Sequence, residues 1–201
     1  MSTLTNTPLA IPEGLLRAVM AAYASPPRAY HSFAHVQEVL KHFHDVAQRP
    51  GWQHPKEVFL AILFHDAIYV AGRSDNELKS ADLALEACAT FLPREPLDTA
   101  RIRSLIELTA KHGKLDRDEL DEETRLFLDC DMAILGSPAA TFDAYDAAIA
   151  EEYAAIPRLV YRFNRNKFLQ KLLDAPRIFL SDHFHHRLDA AARANLRRAL
   201  Q

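Results

Sequence analysis

Apolar residues recur at three- and four-residue steps along most of the chain, and that spacing suits amphipathic helices rather than strands. The 201 residues include only five glycines and no Asn-Gly pair, the usual hairpin signal. Good helix formers, Ala, Leu, Glu and Arg, fill the intervals. The pattern predicts an all-α protein with helices near 12–23, 35–48, 55–69, 76–91, 98–112, 122–135, 139–153, 157–173 and 182–199. The breaks between them coincide with Pro26-Pro27, Pro50-Gly51, Ala71-Gly72, Pro93, His112-Gly113, Gly136-Ser137-Pro138, Pro157 and Pro176. No internal repeat or low-complexity linker divides the sequence, so residues 1–201 are expected to form a single helical domain. Its motif-bearing core is expected at about 28–136, with helices at about 139–199 packed on it.

Charge narrows the classes of partner. A net charge of −3, with Lys and Arg scattered except for a modest basic end that reads as the solvated face of packed helices, lacks the basic footprint of a nucleic-acid binder, so no nucleic acid duplex is expected. Met1 to Pro8 show no positive charge followed by an apolar run, and no stretch of about 18 apolar residues occurs. A cytoplasmic location and no membrane partner are therefore expected, while a homodimer stays compatible with the sequence. Cys88 and Cys130 belong to no metal-ligand spacing and read as buried free thiols.

Chemistry concentrates at His65-Asp66, which ends the apolar run Phe59-Leu60-Ala61-Ile62-Leu63-Phe64. An imidazole and a carboxylate at the edge of a core need a metal ion, each other or a substrate to offset their desolvation. Helical periodicity selects further inward-facing groups. His35 borders the stripe of Val36, Val39, Leu40 and Phe43. Asp131 has Phe127, Leu128, Ile134 and Leu135 at its three- and four-residue neighbours and needs an internal partner. Asp129 is rotated about 200° away, with Arg125 at i−4, and is expected toward solvent or in a local ion pair. His112 closes a helix, where its charge suits the dipole whether or not it serves a site. The carboxylates of Asp75 and Glu77 suit a first helical turn in the same way, and Asp75 is expected to do no more than that. His42, His44, His54, His183, His185 and His186 have no comparable pairing with aspartate and are expected at the surface or an interface.

In chain order His35, His65-Asp66 and Asp131 resemble the H…HD…D signature of the HD superfamily of metal-dependent phosphohydrolases, over about residues 28–136. More locally, Tyr30-His31-Ser32-Phe33-Ala34-His35, Phe64-His65-Asp66-Ala67-Ile68-Tyr69 and Asn76-Glu77-Leu78-Lys79-Ser80-Ala81 are similar to a bacterial branch known only as predicted HD phosphohydrolases. So are Leu128-Asp129-Cys130-Asp131-Met132-Ala133-Ile134-Leu135-Gly136 and Ala192-Arg193-Ala194-Asn195-Leu196. The resemblance implies an HD-type helical bundle in which His35, His65, Asp66 and Asp131 hold the metal. Metal-activated water would then attack the phosphorus of a small phosphorylated molecule, a nucleotide first among the candidates.

Two imidazoles and two carboxylates without thiolate suit one divalent Mn, Co, Fe, Ni or Zn ion, with open positions for water and phosphate. Only His112 lies where two-metal relatives carry extra histidines, so a second metal is less expected. Asp66 and Glu77 are the expected catalytic carboxylates, Glu77 because it resembles the acidic residue that follows the His-Asp pair in some relatives, where it could relay a proton. Arg28, His31, Lys79, Lys111, His112 and Arg165 are the candidate substrate contacts, because phosphate recognition needs cationic donors. His31 stands first among them, at i−4 from His35. The competing readings are a regulatory protein that binds metal and nucleotide without turnover, a di-iron oxygenase on the same scaffold, and an interaction protein in which His65-Asp66 is a buried hydrogen-bonded pair.

Overall fold

A computed structural model describes residues 4, 6–24 and 28–201, and these form nine α-helices and two short 3-10 turns with no strand. The break expected at Pro26-Pro27 lies outside the described residues. No described helix is long and apolar enough to cross a membrane. The chain divides into two compact units, residues 1–26 with 31–110, and residues 27–30 with 111–201.

The first unit is built around α3 (Pro55–Phe64), flanked by α2 (Phe33–Gln48), α4 (Asn76–Phe91) and α5 (Thr99–Thr109), with α1 (Glu13–Tyr23) against α4. Every residue of α3 from Glu57 to Phe64 is buried. This follows from a run of apolar side chains too continuous to leave a solvated face. Buried Glu57 accepts the backbone N–H of Asp98 at 3.1 Å and so ties α3 to the start of α5. The predicted helix 55–69 stops early, at Phe64, because the backbone of residues 66–70 is taken by side chains from other helices. Cys88 and Cys130 are both free and buried, and burial pushes the Cys88 thiol up to about 11, which leaves it inert near neutrality.

The second unit contains α6 (Glu122–Met132), continued by a 3-10 turn over Ala133–Gly136, then α7 (Ala139–Glu152), α8 (Arg158–Asp174) and α9 (Asp182–Ala199). Here the reading of Asp129 needs correction. It is not at the surface: its Oδ1 accepts Leu180 N–H at 2.8 Å, and its Oδ2 accepts the N–H and hydroxyl of Ser181 at 2.7 and 2.6 Å. Arg125 pairs with Glu122 instead. The face of α6 that periodicity assigns to solvent is covered by the approach to α9, an interaction between elements distant in sequence. Burial pushes the Asp129 carboxyl up to about 7, against the pull of the Ser181 and Leu180 donors and of His112.

Three other residues pin α9. Asn195 Nδ2 donates to Leu135 O and Ser137 O at 2.8 and 2.9 Å, capturing carbonyls at the end of the 3-10 turn. Gly136 lies against Leu188, where an added Cβ would stand 2.7 Å from the leucine Cβ, so this close approach requires glycine. Asp189 accepts the N–H groups of Ile178 and Phe179 and the Arg193 guanidinium, which itself donates to the carbonyls of Leu173, Ala175 and Pro176.

Burial tends to raise the Asp189 carboxyl, but the Ile178 N–H and Arg193 outweigh it and hold the group below its ordinary value. A depressed carboxylate contributes stability above its unfolded pKa and loses it as pH falls toward the folded one. Asp189→Asn should therefore cost about 1–3 kcal/mol in urea unfolding at neutral pH. It should also remove part of the acid sensitivity that the native protein shows below about pH 4.

Candidate metal centre

The end of α3 sets the geometry of the candidate site. A helix leaves its last carbonyls without backbone partners, and one of these, Ile62 O, lies 2.9 Å from His65 Nδ1. The carbonyl can only accept, so His65 carries a proton on Nδ1, which leaves Nε2 as the nitrogen that can ligate a cation. Asp66 N–H, which a continued helix would have sent to Ile62 O, donates instead to Tyr23 Oη at 3.3 Å.

His65 Nε2 stands 3.1 Å from His35 Nε2 and 3.0 Å from Asp66 Oδ2, and His35 Nε2 is 3.6 Å from the same carboxylate oxygen. Both imidazoles are buried and Asp66 is partly exposed. One donor atom from each of the three residues lies within 4.8 Å of the other two, the arrangement a single cation requires. A proton on His35 Nε2 can be shared along one or two of these directions, whereas a cation satisfies all three donors at once. The carbonyl end of α3, negative by the helix dipole, favours positive charge here as well.

Helix α4 holds the segment after Asp66 in place. Ser80 Oγ accepts Ile68 N–H at 3.0 Å and donates to Ile68 O at 3.2 Å. One turn earlier, Asn76 accepts Val70 N–H at 3.1 Å and donates to Val70 O at 3.0 Å. Both side chains are buried and complete four backbone groups that neither helix can satisfy. Sequence reasoning gave them no role. The available signal was two small polar residues at i and i+4 opening α4, on the face that continues into buried Ala81 and Ala84.

His31 lies in the turn before α2 rather than on the helix, since α2 begins at Phe33. Its ring nevertheless stacks on Tyr69 with centroids 4.0 Å apart and meets the His35 ring edge-on at 6.0 Å. Glu77 is half-buried in the first turn of α4. Lys79 is committed to Asp75, 2.8 Å away, and Arg73 binds the same carboxylate. The hydrogen bonds from Arg73 and Lys79 hold Asp75 well below the usual carboxylate range, in keeping with its expected structural role. The remaining histidines, at 42, 44, 54, 183, 185 and 186, are not buried.

The other expected site residues belong to the second unit. There Asp131 finds the internal partner its apolar stripe demands: His112 Nε2 is 2.8 Å from Asp131 Oδ2. Arg165 donates through Nε and a terminal nitrogen to Asp146 Oδ1 at 3.0 and 2.7 Å, with its guanidinium 5.2 Å from the Tyr145 ring centroid. It is thus engaged in an internal ion pair. Burial pushes the Tyr145 phenol up, opposed by Arg165. Arg28 is half-buried, and Lys111 is exposed in the turn after α5. The structure therefore brings together His35, His65 and Asp66, with His31 beside them, in one unit, and His112 with Asp131 in the other.

No known protein-family model matches the chain, and neither does any curated protein or solved structure.

Removing the Asn76 amide orphans both polar groups of Val70. Asn76→Ala should lower stability by about 1–3 kcal/mol and weaken divalent-metal binding about 10-fold or more, as loss of a supporting contact does at other metal sites. Urea unfolding and metal titration of the same variant read both effects. Unchanged metal affinity would show that the segment after Asp66 does not shape the donor set.

Proposed function

We propose that this protein is a divalent-metal-dependent phosphohydrolase with an HD-type helical bundle, acting on a small phosphorylated molecule, nucleotides first. The observation that supports it most is the convergence of His35 Nε2, His65 Nε2 and Asp66 Oδ2, with the His65 ring anchored by the bond from Nδ1 to Ile62 O. A second contact that fixes the tautomer and orientation of a ligating imidazole is a regular feature of metal-binding histidines.

Two nitrogens and a carboxylate without thiolate suit Mn, Co, Fe, Ni or Zn better than Mg. A divalent ion held there would acidify water and neutralise charge on a phosphate. The chain's own residues supply the rest. His35 and His65 offer buried imidazole nitrogens, and Asp66, partly exposed, adds one negative charge toward the two of a dication. His31, stacked on Tyr69 next to His35, is the candidate hydrogen-bond donor to a phosphate oxygen. Glu77, in the first turn of α4, is the candidate to hand a proton to the leaving oxygen.

The test is turnover of a panel of nucleotides, sugar phosphates and a chromogenic phosphodiester by protein purified without chelator. At least one substrate should be hydrolysed, with activity removed by chelation and restored by Mn²⁺ or Co²⁺. Asp66→Ala should lower kcat/KM by at least about 100-fold while retaining its helical circular dichroism. Full turnover by metal-free protein would contradict the reading, as would tight nucleotide binding with no product under any metal.

A further inference from the structure

Helix α8 carries an outward face that the second unit does not use. Its inward side is fixed by buried Leu169 and Leu172 and by Arg165, which Asp146 holds. At 100° per residue this places Phe163 on the far side of the helix, with Leu159 one turn before it. Leu159 is 81% exposed, Phe163 69% and Val160 49%, among the most exposed large apolar side chains of the described residues. Large apolar groups held in water by a rigid helix mark a binding surface rather than a core.

The charges around them are equally distinctive. The 17 residues of α8 hold five Arg or Lys against the single acid Asp174, in a chain whose net charge is −3. Elsewhere Arg73, Arg103, Arg125, Arg177, Arg193 and Arg198 each pair with a carboxylate. Arg158, Arg162 and Lys167 make no ion pair or hydrogen bond among the described residues. Arg162 lies on one flank of the Leu159-Phe163 stripe and Lys167 on the other.

The charge pattern selects the occupant. A second copy laid on this stripe would press one face flanked by the cations Arg162 and Lys167 against the same face, and like charges so brought together repel. A duplex would answer the cations but press Leu159 and Phe163 against phosphates and sugars. An anionic lipid surface answers both features, with headgroups for the cations and the acyl boundary for the apolar side chains. We propose that the outward face of α8 docks the protein peripherally on an anionic membrane, inserting Leu159 and Phe163 while Arg162 and Lys167 meet the headgroups. This departs from the expectation of no membrane partner, which rested on the lack of a spanning segment. A surface-bound helix leaves no such segment, because its signal is the outward pairing of apolar and basic residues. The proposal is independent of the metal centre.

The test is co-sedimentation of the full chain with phosphatidylcholine vesicles containing about 30 mol% phosphatidylserine, and with phosphatidylcholine alone. The protein should partition onto the anionic vesicles only, and less so as salt rises. Phe163→Asp and Leu159→Asp should each weaken partitioning at least about 10-fold, and joint reversal of Arg162 and Lys167 to Glu should abolish it. Met20→Asp, at an exposed apolar position on α1, should leave it unchanged. Since every substituted side chain is exposed, the variants should keep the native melting curve, and the salt dependence of the unaltered protein gives a reading independent of them. Failure of the unaltered protein to partition would overturn the proposal, and so would partitioning unaffected by Phe163→Asp. Self-association abolished by Phe163→Asp without vesicle binding would also overturn it and assign the face to a second copy.

Discussion

The hydrogen bond from His65 Nδ1–H to the carbonyl of Ile62, 2.9 Å long, is the constraint on which the candidate centre depends. It exists because α3 stops at Phe64 and leaves that carbonyl without the amide of residue 66. A helix end thus supplies an acceptor, the acceptor holds the proton of Nδ1, and the ring so anchored turns Nε2 toward His35 and Asp66. Had α3 run on to residue 69, Asp66 N–H would have taken the carbonyl and the His65 ring would have lost its anchor. The early stop is enforced from outside the helix by Tyr23, Ser80 and Asn76, which satisfy the backbone of Asp66, Ile68 and Val70.

The second unit uses the same device for a different end. Asp129, Asp189 and Asn195 are buried polar side chains whose partners are backbone groups of loops and turns, at Leu180 and Ser181, at Ile178 and Phe179, and at Leu135 and Ser137. Each bond would cost desolvation if unmade, so a loop that strayed from its position would leave two groups unsatisfied rather than one. These contacts locate the ends of α9 and of the 3-10 turn more specifically than apolar packing alone can.

Much of this was legible in the sequence because periodicity reports the environment of a helix along its own axis. The helices at 76–91 and 182–199 have the predicted bounds, and the inward demand of Asp131 is met by His112. His35, His65 and Asp66, separated by up to 31 positions, do converge. The misreadings share one physical cause, which is that periodicity says nothing about what arrives from elsewhere in the chain. Asp129 looked solvated because α6 alone does not show that Leu180 and Ser181 cover it. The run through His65-Asp66 looked helical to 69 because only the fold brings Ser80 and Asn76 to its backbone. The exposed Leu159 and Phe163 were read with their helix as packed on the core, since spacing alone does not tell an apolar residue facing inward from one facing water.

The most direct measurement is calorimetric titration of chelator-stripped full-length protein with Mn²⁺ and Zn²⁺, beside His65→Ala. The account predicts one ion per chain, bound by the native protein and not by the variant. Failure of the native protein to take up either ion, or binding left intact in His65→Ala, would contradict it and return His35, His65 and Asp66 to the status of a buried hydrogen-bonded cluster.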